Sequence, residues 1–258
     1  MFDAADRLYR YSRQMLVSRI GREGQERLAA ARVGLVGCGA LGSTIANLLV
    51  RAGVGHLRIV DPDRVELHNL QRQVLFTEDD VARRLTKAEA AAAHLQAINS
   101  NVVVEPLVAR IDERNLPAFA AGLDLLTDGT DNFATRLLVN DYAVASATPW
   151  VYGGVIASSG MSMTIVPGDG PCLRCLLRDI PASWQAPTAD VAGVLNTVVG
   201  VIAAVEATEA IKLIVDPAAR NRHLLVVDVW DMAFDKLEVP RDPTCPCCGP
   251  ASLGATHE

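Results

Sequence analysis

The chain has 258 residues, 27.6 kDa and a mean hydropathy of +0.21, with half of its residues hydrophobic, so one large buried core is within reach. Its 24 basic and 30 acidic residues leave a net charge of −6, which excludes a basic field able to hold nucleic acid by counterion release. Met1 to Arg7 lacks the basic and apolar regions of a signal peptide, and Glu206, Glu209 and Lys212 interrupt the longest apolar stretch; no membrane span and a cytoplasmic setting are expected.

Residues 5–30 mix charged and apolar side chains without proline, which predicts a polar helical arm. Alternation of strand and helix follows. Val33 to Gly37 reads as a strand, Ala40 to Ala52 as a helix and Leu57 to Asp61 as a second strand, a βαβ unit of the expected length. A helix from Lys87 to Ile98, a strand at Val102 to Val104, a further helical stretch and a strand at Leu123 to Thr127 continue the pattern. Strands separated by helices predict a parallel sheet covered on both faces. Beyond Pro149 the pattern changes to two adjacent strands, Trp150 to Ile156 and Met161 to Val166, joined by a Ser-Ser-Gly turn. A loop from Arg178 to Val191, a long helix over 193–215 and strands at His223 to Trp230 and Phe234 to Val239 complete the chain. The expectation is a single domain over 1–258, with a helical arm (1–30), a nucleotide half (31–148) and a substrate half (149–258).

Gly37-Cys38-Gly39-Ala40-Leu41-Gly42 fits GxGxxG between a strand and a helix, and Asp61 ends the next strand. Glycines allow a tight turn and close backbone approach, the helix amides face a phosphate, and the acid accepts from ribose hydroxyls. By itself this motif serves dinucleotide oxidoreductases as readily as ATP enzymes. His68 to Gln73, and Lys87 at a helix start, shift the balance. Arg72 can fork two phosphate oxygens and Lys87 can add a point charge, a pair suited to a triphosphate losing pyrophosphate. The alternative is that both merely solvate a surface. Thr127 to Asn132 lies at a strand's carboxyl end; there Asp131 is the candidate Mg²⁺ ligand, while Asp131 or Asn132 could instead cap the following helix.

The six cysteines are unevenly placed, with Cys38 alone and five in two clusters. Cys172-Leu173-Arg174-Cys175 and Cys245-Pro246-Cys247-Cys248 supply four thiolates in the closed arrangement of a structural zinc site, clipping the carboxyl-terminal region to a loop upstream. Cys245 with Cys247 is a conceivable pair, but CxxC spacing favours Cys248 as the fourth ligand; a redox role is the other reading. The fold class is therefore α/β, a Rossmann-like, mostly parallel sheet with an additional antiparallel substrate-side portion and a structural zinc knuckle.

Arg10 to Gln14, GxGxxG, Asp61, Asn69 to Gln73, Lys87, Thr130-Asp131-Asn132, the paired CxxC motifs and Ala192-Gly193-Val194 occur in the order seen in the ThiF/MoeB/HesA family, relatives of the ubiquitin-activating enzymes, which the chain resembles from about residue 7 to Gly249. The resemblance implies a homodimeric adenylyltransferase. It would use ATP and Mg²⁺ on the carboxyl-terminal Gly-Gly of a ubiquitin-like sulfur-carrier protein of the molybdopterin or thiamine type. Carried over, Gly37, Gly39, Ala40 and Gly42 approach the nucleotide and Asp61 takes the ribose. Asn69, Arg72, Gln73 and Lys87 take the phosphates, Asp131 takes Mg²⁺, and Arg13 reaches the triphosphate of the other protomer.

Many relatives carry a cysteine three residues before Ala-Gly-Val, where this chain has Ala189, and 176–191 contains no cysteine at all. An enzyme that hands its acyl adenylate to a separate sulfur donor or acceptor is the expectation. Asn196-Thr197 replaces a common Gly-Pro without assignable consequence. Adenylation of a peptide carboxyl terminus in natural-product synthesis, a nucleotide-dependent oxidoreductase and a non-catalytic scaffold are the competing readings.

Overall fold

A computed structural model describes residues 7–178 and 189–250. In chain order the elements are α1 (Ser12–Met15), α2 (Gly21–Ala30), β1 (Arg32–Val36), α3 (Ala40–Ala52), β2 (His56–Val60), α4 (Glu78–Ala82), α5 (Lys87–Ile98), β3 (Val103–Leu107), α6 (Leu116–Ala120), β4 (Leu125–Asp128) and α7 (Phe133–Ala145). They continue as β5 (Trp150–Ile156), β6 (Ser159–Ile165), α8 (Leu173–Leu176), α9 (Ala189–Ala192), α10 (Asn196–Val215), β7 (Leu224–Asp228) and β8 (Ala233–Leu237). All eight strands join one sheet in the order β3-β2-β1-β4-β5-β6-β7-β8. β1 to β5 run parallel and β6, β7 and β8 antiparallel.

The central strands are apolar along their whole length because helices cover both faces. On one side α3, α5 and α10 bury Ile45, Leu49, Leu95 and Ile202 against Leu35 and Leu57. On the other, α6 and α7 bury Phe119 and Val139 against Leu126, Trp150 and the cysteine region. α3 stops where Gly53 takes a φ of 87° and returns its N–H to Leu49 and Val50, the left-handed terminator that glycine adopts at least cost.

Three expectations change in detail. The arm is a 3-10 turn (Tyr9–Tyr11) and two helices, broken at Gly21 with its φ of 58°. It is pinned to its own chain: Asn99 donates to the Tyr11 hydroxyl at 2.8 Å and Gln14 to the Ala52 carbonyl at 2.9 Å. The β5–β6 turn is shorter than Ser-Ser-Gly, since Ser159 and Gly160 already pair with Ile156 and Val155, leaving Ala157 and Ser158 as the loop. The long helix begins at Asn196 and not at 193, because 193–195 instead pair with that loop, Ala157 donating to Gly193 and Leu195 to Ala157. Of the predicted loop between Arg178 and Val191, residues 179–188 lie outside the described residues. No helix among the described residues is long and apolar enough to cross a membrane.

Candidate active site

One cavity of about 610 Å³ opens at the carboxyl ends of the parallel strands and continues along β5, β6 and β7, the position at which open α/β sheets bind ligands. Gly37, Gly39, Ala40, Asp61, Asn69, Arg72, Gln73, Lys87 and Asp131 all line it. Gly42 does not. A Cβ on Gly42 would fall 2.1 Å from the Gly37 carbonyl, so that glycine lets α3 pack beneath the turn. Gly37 has a φ of 88°, and a Cβ there would meet the Gly129 carbonyl at 2.7 Å; the turn after β1 thus closes directly on the loop after β4.

Asp61 is buried and holds this turn. Its Oδ2 accepts from the Cys38 amide at 2.7 Å and its Oδ1 from the Asp63 amide at 2.8 Å. Burial raises its carboxyl above the ordinary range, and the facing Lys87 draws part of that back. The Cys38 thiol is fully buried, and burial followed by the Asp61 charge pushes it far up; it is inert as a nucleophile. Lys87 is no surface lysine. It opens α5, its side chain is 10% exposed, and its Nζ donates to Asp63 Oδ2 at 2.9 Å. Thr86 caps the same helix by accepting from the Glu89 amide, so the lysine's position is set by a capped turn.

Asn69 fixes the turn bearing Arg72: its Oδ1 accepts from the Glu66 amide at 3.1 Å, and Arg72 packs back with Nη1 donating to the His68 carbonyl at 3.0 Å. Gln73 is buried with its Oε1 unpartnered among the described residues. At the loop after β4 the capping reading falls to Asn132. Asn132 caps α7, accepting from the Thr135 amide at 2.9 Å, while Asp131 stays exposed at the cavity mouth. Arg13 is exposed on α1 and does not line its own chain's cavity.

The sequence reading missed a buried charged group behind this loop. Arg136, 6% exposed, donates through Nε to Asp128 Oδ2 at 2.9 Å and through Nη2 to the Thr130 and Gly153 carbonyls at 2.7 and 3.0 Å. Its guanidinium lies 5.2 and 5.4 Å from the centres of the Phe133 and Tyr152 rings. Burial lifts the Asp128 carboxyl, with Arg136 opposing. Burial also pushes the Tyr152 phenol up to about 12, so it remains a neutral hydroxyl. Below them Glu206 of α10 is wholly buried, and neither carboxyl oxygen has a hydrogen-bond partner among the described residues. A Cβ on Gly153 would come within 1.9 Å of its Oε1. Burial, then the Asp128 charge, raise the Glu206 carboxyl well above its ordinary value against the pull of Arg136, which favours the protonated form. The period of α10 contained the signal, since Glu206 falls on the buried face of a long apolar helix, with Glu209 one turn on.

The cysteines resolve the alternative left by their spacing. Cys172, Cys175, Cys245 and Cys248 are buried, with their sulfurs all within 4.8 Å of one another. Cys172 to Cys245 is 3.7 Å and Cys175 to Cys248 is 3.4 Å. A Zn–S bond of about 2.3 Å places tetrahedral sulfurs about 3.8 Å apart, so the quartet fits that ion closely. Cys247 is not one of these four; its Sγ accepts from Asn140 Nδ2 at 3.3 Å.

A glycine turn at the end of the first parallel strand, an acid after the second and a buried lysine around one cavity define a nucleotide-binding α/β domain. The ThiF family matches residues 11–247, and the chain belongs to it. It is 41% identical over 255 residues to the SAMP-activating enzyme E1 of Haloferax volcanii, covering 98% of this chain and 93% of that protein. It is also 41% identical over 252 residues to the sulfur carrier protein adenylyltransferase of Thermus thermophilus, covering 95% and 92%. Among solved structures, the microcin C7 biosynthetic enzyme MccB of E. coli, with ATP, is similar at a TM-score of 0.81 and 26% identity, over 96% of this chain and 75% of that one.

Proposed function

We propose that this protein adenylates the carboxyl-terminal Gly-Gly of a ubiquitin-like sulfur carrier, using ATP and releasing pyrophosphate. The observation that carries this is the continuity of the cavity. Its phosphate-seeking end, with Arg72 and Lys87, opens without a break into a strip walled by Gly154, Gly160 and Met161 that reaches Val226 on β7. A side-chain-free peptide tail fits such a strip and meets the nucleotide at its inner end.

The carrier's carboxylate attacks the α-phosphorus, so no covalent group of the enzyme is needed; the work is positioning and charge stabilisation. Asp61 accepts from the ribose, and Asn69, Arg72, Gln73 and Lys87 hold the phosphates. The base fits beside Val60, Ala109 and Ile111, which line the same end and were not foreseen from the sequence. When bound, Mg²⁺ would neutralise charge on the phosphates, and Asp131, exposed in the cavity lining, would hold it. Arg13 of each protomer reaches the triphosphate of the other in a homodimer; its exposure on a pinned arm suits that role. The cysteine quartet holds structural zinc and clips the end of the chain to the loop after β6. The carrier's body rests on the β7–β8 hairpin, where Trp230, Met232 and Phe234 are exposed and whose strand β7 contributes Val226 to the cavity. This makes 149–258 the carrier-binding and zinc half beside an ATP-binding half over 31–148, in a cytoplasmic protein.

The 41% identity to carrier-activating relatives over nearly the whole chain, against 26% to MccB, supports a carrier over a short peptide as substrate. With no cysteine from 176 to 191, the acyl adenylate passes to a separate sulfur donor. ATP–pyrophosphate exchange tests the proposal: it should appear only with a Gly-Gly carrier. Exchange with a short peptide alone, or a bound nicotinamide in the purified protein, would replace it.

A further inference from the structure

Arg136 has donors to spare where the two ends of the cavity meet. Of the five N–H groups of its guanidinium, the one on Nε goes to Asp128 and the two on Nη2 go to Thr130 and Gly153. Nη1 makes no hydrogen bond among the described residues. That nitrogen is 3.6 Å from the place a Cβ on Gly154 would occupy, and Arg136, Tyr152 and Gly154 all line the cavity. A guanidinium more than nine-tenths buried, anchored on three sides and open on the fourth, is a built binding site for an anionic oxygen. Its counter-ion Asp128 lies behind it, holding Thr130 through both the Thr130 amide and hydroxyl, at 2.9 and 2.7 Å. The charge is thus compensated within the protein, and the group is rigid before any ligand arrives.

We propose that Arg136 is a catalytic residue whose Nη1 binds the terminal carboxylate of the substrate tail and orients it towards the nucleotide; this rests on the adenylation reading above. One carboxylate oxygen forms a bond to the α-phosphorus as the bond from that phosphorus to the α,β-bridging oxygen breaks. The electron pair leaves with pyrophosphate and no proton moves. The second oxygen becomes the acyl carbonyl and keeps its hydrogen bond from Nη1 through the step. Arg136 holds the Thr130 carbonyl, in the loop that bears Asp131, and lies beside Gly154 of β5, so it stands between the two parts of the cavity that the reaction joins. Gly154 leaves the guanidinium uncovered, and Tyr152 bounds the same spot, its hydroxyl 3.1 Å from where a Gly154 Cβ would lie.

The test separates tail binding from nucleotide binding. Arg136→Lys keeps a cation opposite Asp128, and Arg136→Gln removes it. With each, binding of a fluorescent ATP analogue without carrier should stay within about threefold of the parent. Carrier-dependent exchange should fall by two orders of magnitude or more, the range seen when one oriented donor is removed, and added guanidinium should restore part of it in Arg136→Gln. Unchanged exchange in both variants, or parallel loss of ATP binding and melting temperature with no guanidinium rescue, overturns the assignment. Should neither variant fold, the parent protein with a non-hydrolysable ATP analogue is titrated with a Gly-Gly-terminated carrier and its carboxamide. The free acid should bind at least tenfold more tightly; equal binding overturns the proposal. Absence of exchange in the parent protein with any carrier sinks the adenylation reading itself, whereas exchange that ignores Arg136 sinks only this inference.

Discussion

The loops after β1, β2 and β4 and the cysteine knuckle beyond β6 and β8 differ first in where their polar atoms point. In the loops, Asp61, Lys87 and Arg72 use part of their hydrogen-bonding capacity on neighbours and keep the rest towards the cavity. The four knuckle sulfurs turn on one another and sit among buried apolar side chains. The lesson is that removing a loop side chain should cost chemistry and leave the fold, while removing a sulfur should cost the fold. α7 connects the two regions: Arg136 near its start faces the cavity, and Asn140 one turn later accepts from the Leu173 amide at 2.8 Å beside Cys172.

The largest effect expected on this comparison is on the knuckle. Stripping the metal with a chelator, or Cys248→Ser, should release zinc and unfold the carboxyl-terminal region, since binding free energy of a structural zinc is about 10 kcal/mol or more of folding free energy. Metal analysis with calorimetry reads both; an unchanged melt in metal-free protein breaks the comparison. Next come Arg72→Ala and Asp131→Ala, for which exchange should drop about a thousandfold, about 4 kcal/mol of transition-state stabilisation, with melting within a few degrees of the parent. Loss of the fold in either would place them with the knuckle.

Smaller effects sharpen the boundary between site and core. Burial, then the Asp128 charge, raise the Glu206 carboxyl in the folded chain above its value in the unfolded one. Protons are then bound by the folded state where the unfolded state has lost them, and stability falls as pH rises from about 4.5 towards the folded value, at up to about 1.4 kcal/mol per pH unit. Glu206→Gln should flatten this limb and raise stability at neutral pH, measured by denaturant unfolding across pH 4 to 8; a steeper limb would mean that Glu206 is charged. Smallest is Asn132→Ala, which removes a helix cap worth about 1 kcal/mol. A stability loss there distinguishes Asn132 from Asp131, whose replacement should cost none.

Much of this was legible in residue spacing. The helix Ala40–Ala52 and the helix Lys87–Ile98 fall where the sequence places them, because glycine before one and a threonine cap before the other mark their starts. The glycine turn, Asp61 and Lys87 were legible for the same reason, as each sits at a fixed offset from an element boundary. Arg136 was not, since its partners Asp128, Thr130 and Gly153 come from β4, the loop after it and β5, and only the sheet order brings β4 beside β5. The start of α10 is not legible because pairing of Gly193 and Leu195 with Ala157 is a tertiary contact that overrides a continuous apolar pattern. Spacing favours Cys248 over Cys247 without deciding between them; the four sulfurs that the fold draws together include Cys248.

Intact mass spectrometry of a Gly-Gly carrier incubated with this protein, ATP and Mg²⁺ tests the central claim most directly, with hydroxylamine added to trap activated acyl groups. The account predicts a carrier that gains an adenylyl group and converts to a hydroxamate, with the enzyme's own mass unchanged. A carrier of unaltered mass, or an adduct covalently attached to the enzyme, would contradict it.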